Sequence, residues 1–172
     1  VKSLENTAGK IQQIGAGVSS IKVLENLNNA QGSILTAAGD ISISAGKLDN
    51  VEGLISHTGT GKIALKASAI LDNRAGKILS AGELNLEALS IANNAYQTKT
   101  GVLQTVGAMQ LTTKTDIDNS AATILSNSAI KIKAGGDFNN SNATIQAGAA
   151  LDLAAQNLNN TKGKVLSLDD SG

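Results

Sequence analysis

Cysteine, proline and tryptophan are absent from this 172-residue chain, and Phe138, Tyr96 and His57 are each the only residue of their type. Without cysteine there is no disulfide staple and no thiolate metal site. With one histidine, neither a histidine-based catalytic triad nor a multi-histidine metal site can assemble from this chain. Without proline, nothing forbids long uninterrupted backbone pairing. Aromatic rings usually supply the largest buried areas, so this core has to be built from many small aliphatic contributions. An excess of charge of either sign is also missing: Lys+Arg and Asp+Glu each number 14, for a formal net charge of zero. That balance gives no electrostatic case for nucleic acid or an anionic membrane as a partner. Charged residues make up only 16% of the chain, which argues against a disordered tail. No apolar run approaches the ~18 residues of a membrane span, so the chain is not expected to cross one. The first residue is Val1 and no signal peptide is evident, so the sequence reads as an excised piece of a longer rod.

What the chain does contain is a period. Asparagine follows an apolar residue by two at Asn6, Asn29, Asn50, Asn73, Asn93, Asn119, Asn140 and Asn160. The intervals are 23, 21, 23, 20, 26, 21 and 20 residues, about 22 per unit. Five positions after seven of the eight stands an aliphatic residue: Ile11, Ile34, Ile55, Ile78, Ile124, Ile145 and Val165. Three positions after five of them stands Gly9, Gly32, Gly53, Gly76 or Gly163, with Ala122 and Ala143 in two other units. The exception follows Asn93, where Gly101 and Leu103 return after five extra residues. Further along come alternating apolar pairs: Ile41/Ile43, Ile63/Leu65, Leu84/Leu86, Met109/Leu111, Ile130/Ile132 and Leu151/Leu153. Strict alternation marks a strand with one buried face.

Each unit thus holds two or three short strands separated by corners, and none has the 3.6-residue pattern of a crossover helix. One unit cannot bury its apolar face alone, but stacked units bury a continuous one. The expected fold is all-β, a parallel β-helix or β-solenoid, with about 7–8 coils of 20–26 residues. At ~4.8 Å per step the rod would be ~34 Å long. Residues 1–172 form a single β-helix segment, with an irregular first coil at 1–26 and an inserted corner loop at 94–100. In the first coil, Ile21/Val23 take the role of the alternating pair. The eight asparagines should lie one above another, each side-chain amide donating to one neighbour and accepting from the other. The glycine that follows is expected to adopt backbone angles closed to other residues.

Few residues suggest chemistry. "HTGTGK" at 57–62 brushes against a phosphate-binding loop, but Ile63 stands where Ser or Thr should hold magnesium and no helix follows. His57 reads as a solvated corner residue. Asp49, Asp72 and Asp118 occupy the middle of the triplet, where stacked carboxylates invite calcium or acid-base work. The same position is Asn28, Ala92, Asn139 or Asn159 elsewhere, and alternation points it outward, so solvated surface is the expectation. A sugar-cleaving β-helix would present aromatic platforms and convergent charges, which this chain lacks. No catalytic residue, metal site or cofactor is expected. Tyr96 and Lys99, in the inserted "NAYQTKT" at 94–100, form a candidate contact loop.

"LDNRAGKILSAGELNLEA" and "LDNVEGLISHTGTGKIALKA" resemble the repeats of the filamentous haemagglutinin family. These are large exoproteins of Gram-negative two-partner secretion systems: adhesins, haemolysins and contact-dependent growth inhibition toxins. The similarity runs from about Leu4 to Val165. It implies a right-handed β-helix, a secreted or cell-surface location, and export by an outer-membrane two-partner secretion transporter that engages a region outside this chain. It implies a stalk stacked on adjacent coils of the same exoprotein, or else a flank that binds a cell-surface receptor or glycan. A leucine-rich repeat has an overlapping period, but there Asn precedes the last aliphatic of the strand, whereas here it follows an aliphatic by two.

Overall fold

The computed structural model describes residues 1–169, and among them every regular element is a β-strand. Residues 170–172 of the expected segment lie outside the described residues. The strands wind into a β-solenoid of about eight turns, numbered here by their asparagines from coil 1 (Asn6) to coil 8 (Asn160). All pairing between coils is parallel, and each strand finds its partner one period away.

Three columns of strands run along the rod. The first ends at the asparagine corner and stacks Leu4, Leu27, Leu48, Leu71, Ile91, Ile117, Phe138 and Leu158 in register. The second starts just past that corner. It forms an eight-stranded sheet that aligns Ile11, Ile34, Ile55, Ile78, Leu103, Ile124, Ile145 and Val165. The third carries the alternating pairs, from Ile41/Ile43 to Leu151/Leu153. It belongs with the first column to a 13-stranded sheet. Period-two alternation sends one member of each residue pair into the rod. Ile43, Ile55, Ile63, Ile78, Leu84, Leu103 and Phe138 have no accessible surface at all. Each such side chain contributes ~1.5–3 kcal/mol by leaving water. Like residues stacked on like leave no site that needs a large ring.

Three sequence expectations are corrected. In coil 1, Ser19 and Ile21 pair with Ile41 and Ile43, so Ile21 takes the second place of the alternating pair. Val23, which donates from its amide to Ser44, falls into the place of the buried Ala45. Second, two strands run straight through a site where other coils turn, Lys62–Asp72 and Glu83–Ala92. Their sequences, "ASAI" and "ALSI", lack the Gly or Asp found there in coils 2 and 6, and a register shift between Ala88 and Ser90 absorbs the bend.

The third correction concerns glycine. At seven of the eight asparagine corners the left-handed residue lies one place earlier: Ala8, Gln31, Glu52, Ala75, Ala121, Asn142 and Lys162 have φ between 52° and 57°, and after Asn93 it is Gln97 in the inserted loop. Among the described residues no glycine has a positive φ. Glycine is needed for close approach instead. A Cβ on Gly32 would overlap the carbonyl oxygen of Asn6, and one on Gly76 that of Asn50. Where alanine replaces it, the corner opens. The bonds Ala122 N–Asn119 O and Ala143 N–Asn140 O measure 3.2 and 3.3 Å, against 2.9 to 3.0 Å at the glycine corners.

Leu86 is 2% exposed, and Asn85 faces outward beside it. Leu86→Lys should therefore cost several kcal/mol, and Asn85→Lys less than about 0.5 kcal/mol, in thermal melts. Equal losses would mean the strand faces the other way. Gly76→Ala should cost ~1–3 kcal/mol by overpacking, and Ala122→Gly no more than ~1 kcal/mol through added chain freedom. Denaturant titrations measure both, and a Gly76→Ala protein as stable as the parent would contradict the close approach of Gly76 to the Asn50 carbonyl.

Candidate functional site

The most organised polar feature lies at the first corner. Asn6 Nδ2 donates to Asn29 Oδ1 at 2.6 Å, and the same bond repeats from Asn29 to Asn50, Asn50 to Asn73, Asn73 to Asn93 and Asn93 to Asn119 at 2.7 Å each. Asn119 to Asn140 and Asn140 to Asn160 follow at 2.8 Å. Asn29, Asn50, Asn73, Asn93, Asn119 and Asn140 are fully buried, and Asn160 is exposed. The second amide hydrogen is used as well: Asn73 Nδ2 reaches the carbonyls of Gly76 and Val102, both at 3.2 Å. The row has a direction, with every amide N–H pointing toward the C-terminal coils.

A second row surrounds the first. At six of the eight ladder asparagines the preceding residue accepts a bond from the backbone N–H two places on. This holds for Asn28, Asp49, Asp72, Asp118, Asn139 and Asn159, at 3.0 to 3.3 Å. These are Asx turns, which help set the corner. Sequence reasoning missed them, although Asn or Asp at six of eight such positions was the readable signal.

The acids of this row are not simply solvated. Asp72 is 3% exposed and is gripped by Arg74 through Nε–Oδ1 at 2.9 Å and Nη2–Oδ2 at 2.8 Å. The hydrogen bond to Asp72 is the main cause that raises the Arg74 pKa, opposed by partial desolvation and helped by the nearby charges of Asp72 and Asp49. Asp49 and Asp118 are half-buried, and Asp49 is paired with Lys47 at 3.2 Å. The two stacked acids of coils 3 and 4 thus already have cations from their own chain. Among the described residues, no group of three or more His, Cys, Asp or Glu could hold a metal ion.

His57 is corrected from a solvated corner to a buried residue, 1% exposed, at the end of Leu54–His57. Its Nδ1 lies 3.3 Å from Ser80 Oγ and its Nε2 3.1 Å from the Ala38 carbonyl. Thr36, Ser80, Thr105 and Ser126 occupy the same place in neighbouring strands. Thr105 donates to the Gly82 carbonyl, and Ser126 does so to Gly107 at 2.8 Å. His57 therefore stands in a column of inward polar groups that satisfies the second corner. A polar residue two places after the aliphatic was its sequence signal. The "HTGTGK" stretch is part of that corner: Gly59 and Gly61 pack on the carbonyls of Ala38 and Gly39, and Lys62 opens a strand.

The inserted loop lies back against the rod. Tyr96 and Lys99 bridge one another, the Arg74 guanidinium sits 5.5 Å from the Tyr96 ring centre, and Lys99 Nζ is 2.6 Å from Glu52 Oε2. On the outer face of the 13-stranded sheet lies a shallow trough of about 400 Å³, lined by Ser42, Lys62, Lys66, Asn85, Glu87 and Gln110 among others.

A neutral rod of parallel coils, locked by a buried asparagine row, defines a β-solenoid repeat protein. The family described as haemagglutinin repeat matches residues 2–75, 58–142 and 115–172, and the chain belongs to it. No curated protein and no solved structure matches the chain. The family is structural and adhesive, not typically enzymatic, and its members are typically secreted or surface-exposed. No helix among the described residues is long and apolar enough to cross a membrane.

Asn73→Leu removes a donor to Asn93 and an acceptor for Asn50, leaving both buried amides short of a partner. It should cost ~1–3 kcal/mol despite its added apolar volume. Asn160→Leu, exposed and with one ladder partner, should cost less. Urea denaturation compares them, and a stabilised Asn73→Leu protein would contradict the ladder's role.

Proposed function

We propose that this segment is a structural stalk in a secreted or surface-displayed exoprotein of a Gram-negative bacterium. It would extend a distal adhesive or toxic region, as in an adhesin, a haemolysin or a contact-dependent growth inhibition toxin. The observation that carries this reading is the unbroken asparagine row through eight coils. Apart from the loop at 94–100, each coil repeats the corner of the one before it, so length is added without creating a new site. Membership of the haemagglutinin repeat family supports the same reading. Export would use an outer-membrane two-partner secretion transporter acting on another region of the exoprotein, and the rod would continue into adjacent coils of the same chain.

A second reading is that the flank itself binds a cell-surface receptor or glycan. The trough around Asn85 favours it, since Ser42, Lys62, Lys66, Asn85, Glu87 and Gln110 along it can exchange hydrogen bonds with a sugar or peptide.

Deleting residues 71–90, which takes Asn85 and Glu87 out of the trough, tests the two. The cut joins Ile70 to Ile91, which pairs with Leu71 in the intact rod and so inherits its register. For a stalk, the shortened exoprotein should fold, lose ~4.8 Å of length and keep its surface activity. Deleting 71–80 removes half a coil and should impair folding. A folded whole-coil deletion that has lost activity would overturn the stalk in favour of a binding flank.

A further inference from the structure

In a solenoid whose coils touch only their neighbours, each interface between coils can open nearly independently. The asparagine row obeys this pattern, since its bonds span 20 to 26 residues, one coil each. The bond from Lys99 to Glu52 spans 47 residues and skips a coil: Lys99 follows the corner of coil 5, and Glu52 belongs to the corner of coil 3. The loop is built to make this reach. Tyr96 N donates to Lys99 O at 3.0 Å, and Lys99 N to Tyr96 O at 3.2 Å. This closes a tight two-residue turn with Gln97 in the left-handed region at φ 56°. The turn is seated on coil 4 through the Tyr96 ring, which stacks on an Arg74 already fixed at both ends of its guanidinium by buried Asp72. The acceptor is also partly sheltered: the Glu52 side chain is 16% exposed, against 64% for that of Lys99.

We propose that residues 94–100 are a strap that ties coils 3, 4 and 5 into one cooperative block within an otherwise nearest-neighbour rod. Separating coil 3 from 4, or 4 from 5, stretches the same Lys99–Glu52 contact, so neither interface opens without breaking it. The strap thereby makes the middle of this segment the part most resistant to unravelling. The strap governs how the folded chain opens, whether the rod is a stalk or a binding flank.

Hydrogen exchange by mass spectrometry on the whole 172-residue chain tests it. Lys99→Met keeps the length of the side chain and removes its charge at a solvent-facing position. It should accelerate exchange about two- to five-fold, the range an exposed ion pair allows. The effect should appear together in strands 54–57, 77–80 and 102–105, leaving 144–147 unchanged. Glu52→Gln should reproduce the pattern, and the two changes combined should add nothing further. The swapped pair Glu52→Lys with Lys99→Glu should return the rates toward those of the parent. Unchanged exchange in coils 3 to 5, acceleration confined to the loop, or equal acceleration along the whole rod would each overturn the proposal.

Discussion

The structure depends on one requirement: a buried side-chain amide must be satisfied on both its donor and its acceptor side. Asparagine meets it by stacking on copies of itself, with seven consecutive contacts of 2.6 to 2.8 Å. The ~4.8 Å rise between parallel strands suits that bond. Everything between two asparagines must then return the chain to the same point one step higher. This is why coil length varies only from 20 to 26 residues, and why the longest interval carries its extra residues as a loop at 94–100 that leaves the Asn93–Asn119 contact intact. The tight corner in turn excludes a Cβ at Gly32 and Gly76, and it tolerates Ala122 and Ala143 only by lengthening its own bond.

Once the coils are held in register, the core follows. Columns of leucine and isoleucine fill a narrow interior layer by layer, and alanines such as Ala67 and Ala88 line the place where the wall bends. Phe138 is accepted because it replaces a single aliphatic in its column. The second corner is satisfied less uniformly, by Thr36, His57, Ser80, Thr105 and Ser126. A hydroxyl or imidazole that reaches a carbonyl suffices there, so that column has no invariant residue type.

This difference explains what could be read from the chain. The parallel solenoid and its eight turns were legible because the asparagine and the aliphatic five places on recur in fixed register. His57 was misread because a column that tolerates Thr, Ser or His leaves a faint period. Asp72 was misread because its carboxylate is gripped by Arg74, two residues on, which in turn meets the Tyr96 ring from the following coil. The place of Ile21 was hidden by the irregular first coil, where Ser19 stands opposite Ile41. Glycine's reason was mistaken because backbone angle and close approach leave the same mark on a sequence. The contact between Lys99 and Glu52 skips a coil, and no repeat pattern encodes it.

The most direct test of the ladder is a change that reverses the chemistry of one amide while keeping its shape. Asn73→Asp retains an acceptor for Asn50 but turns an oxygen toward Asn93 Oδ1 and the carbonyls of Gly76 and Val102. Ionised, that carboxylate is buried among acceptors; protonated, it can donate to Asn93 and restore the contact. Its folded pKa must therefore rise above the unfolded value of ~3.9, so the native state holds the proton more tightly. Stability is then fully present below that value and is lost as pH rises through the folded pKa. Denaturant titrations of parent and variant from pH 7 to pH 4 measure the difference. The account predicts a deficit of several kcal/mol at pH 7 that shrinks steadily on acidification. A deficit that stays constant with pH would show that Asn73 does not donate along the row.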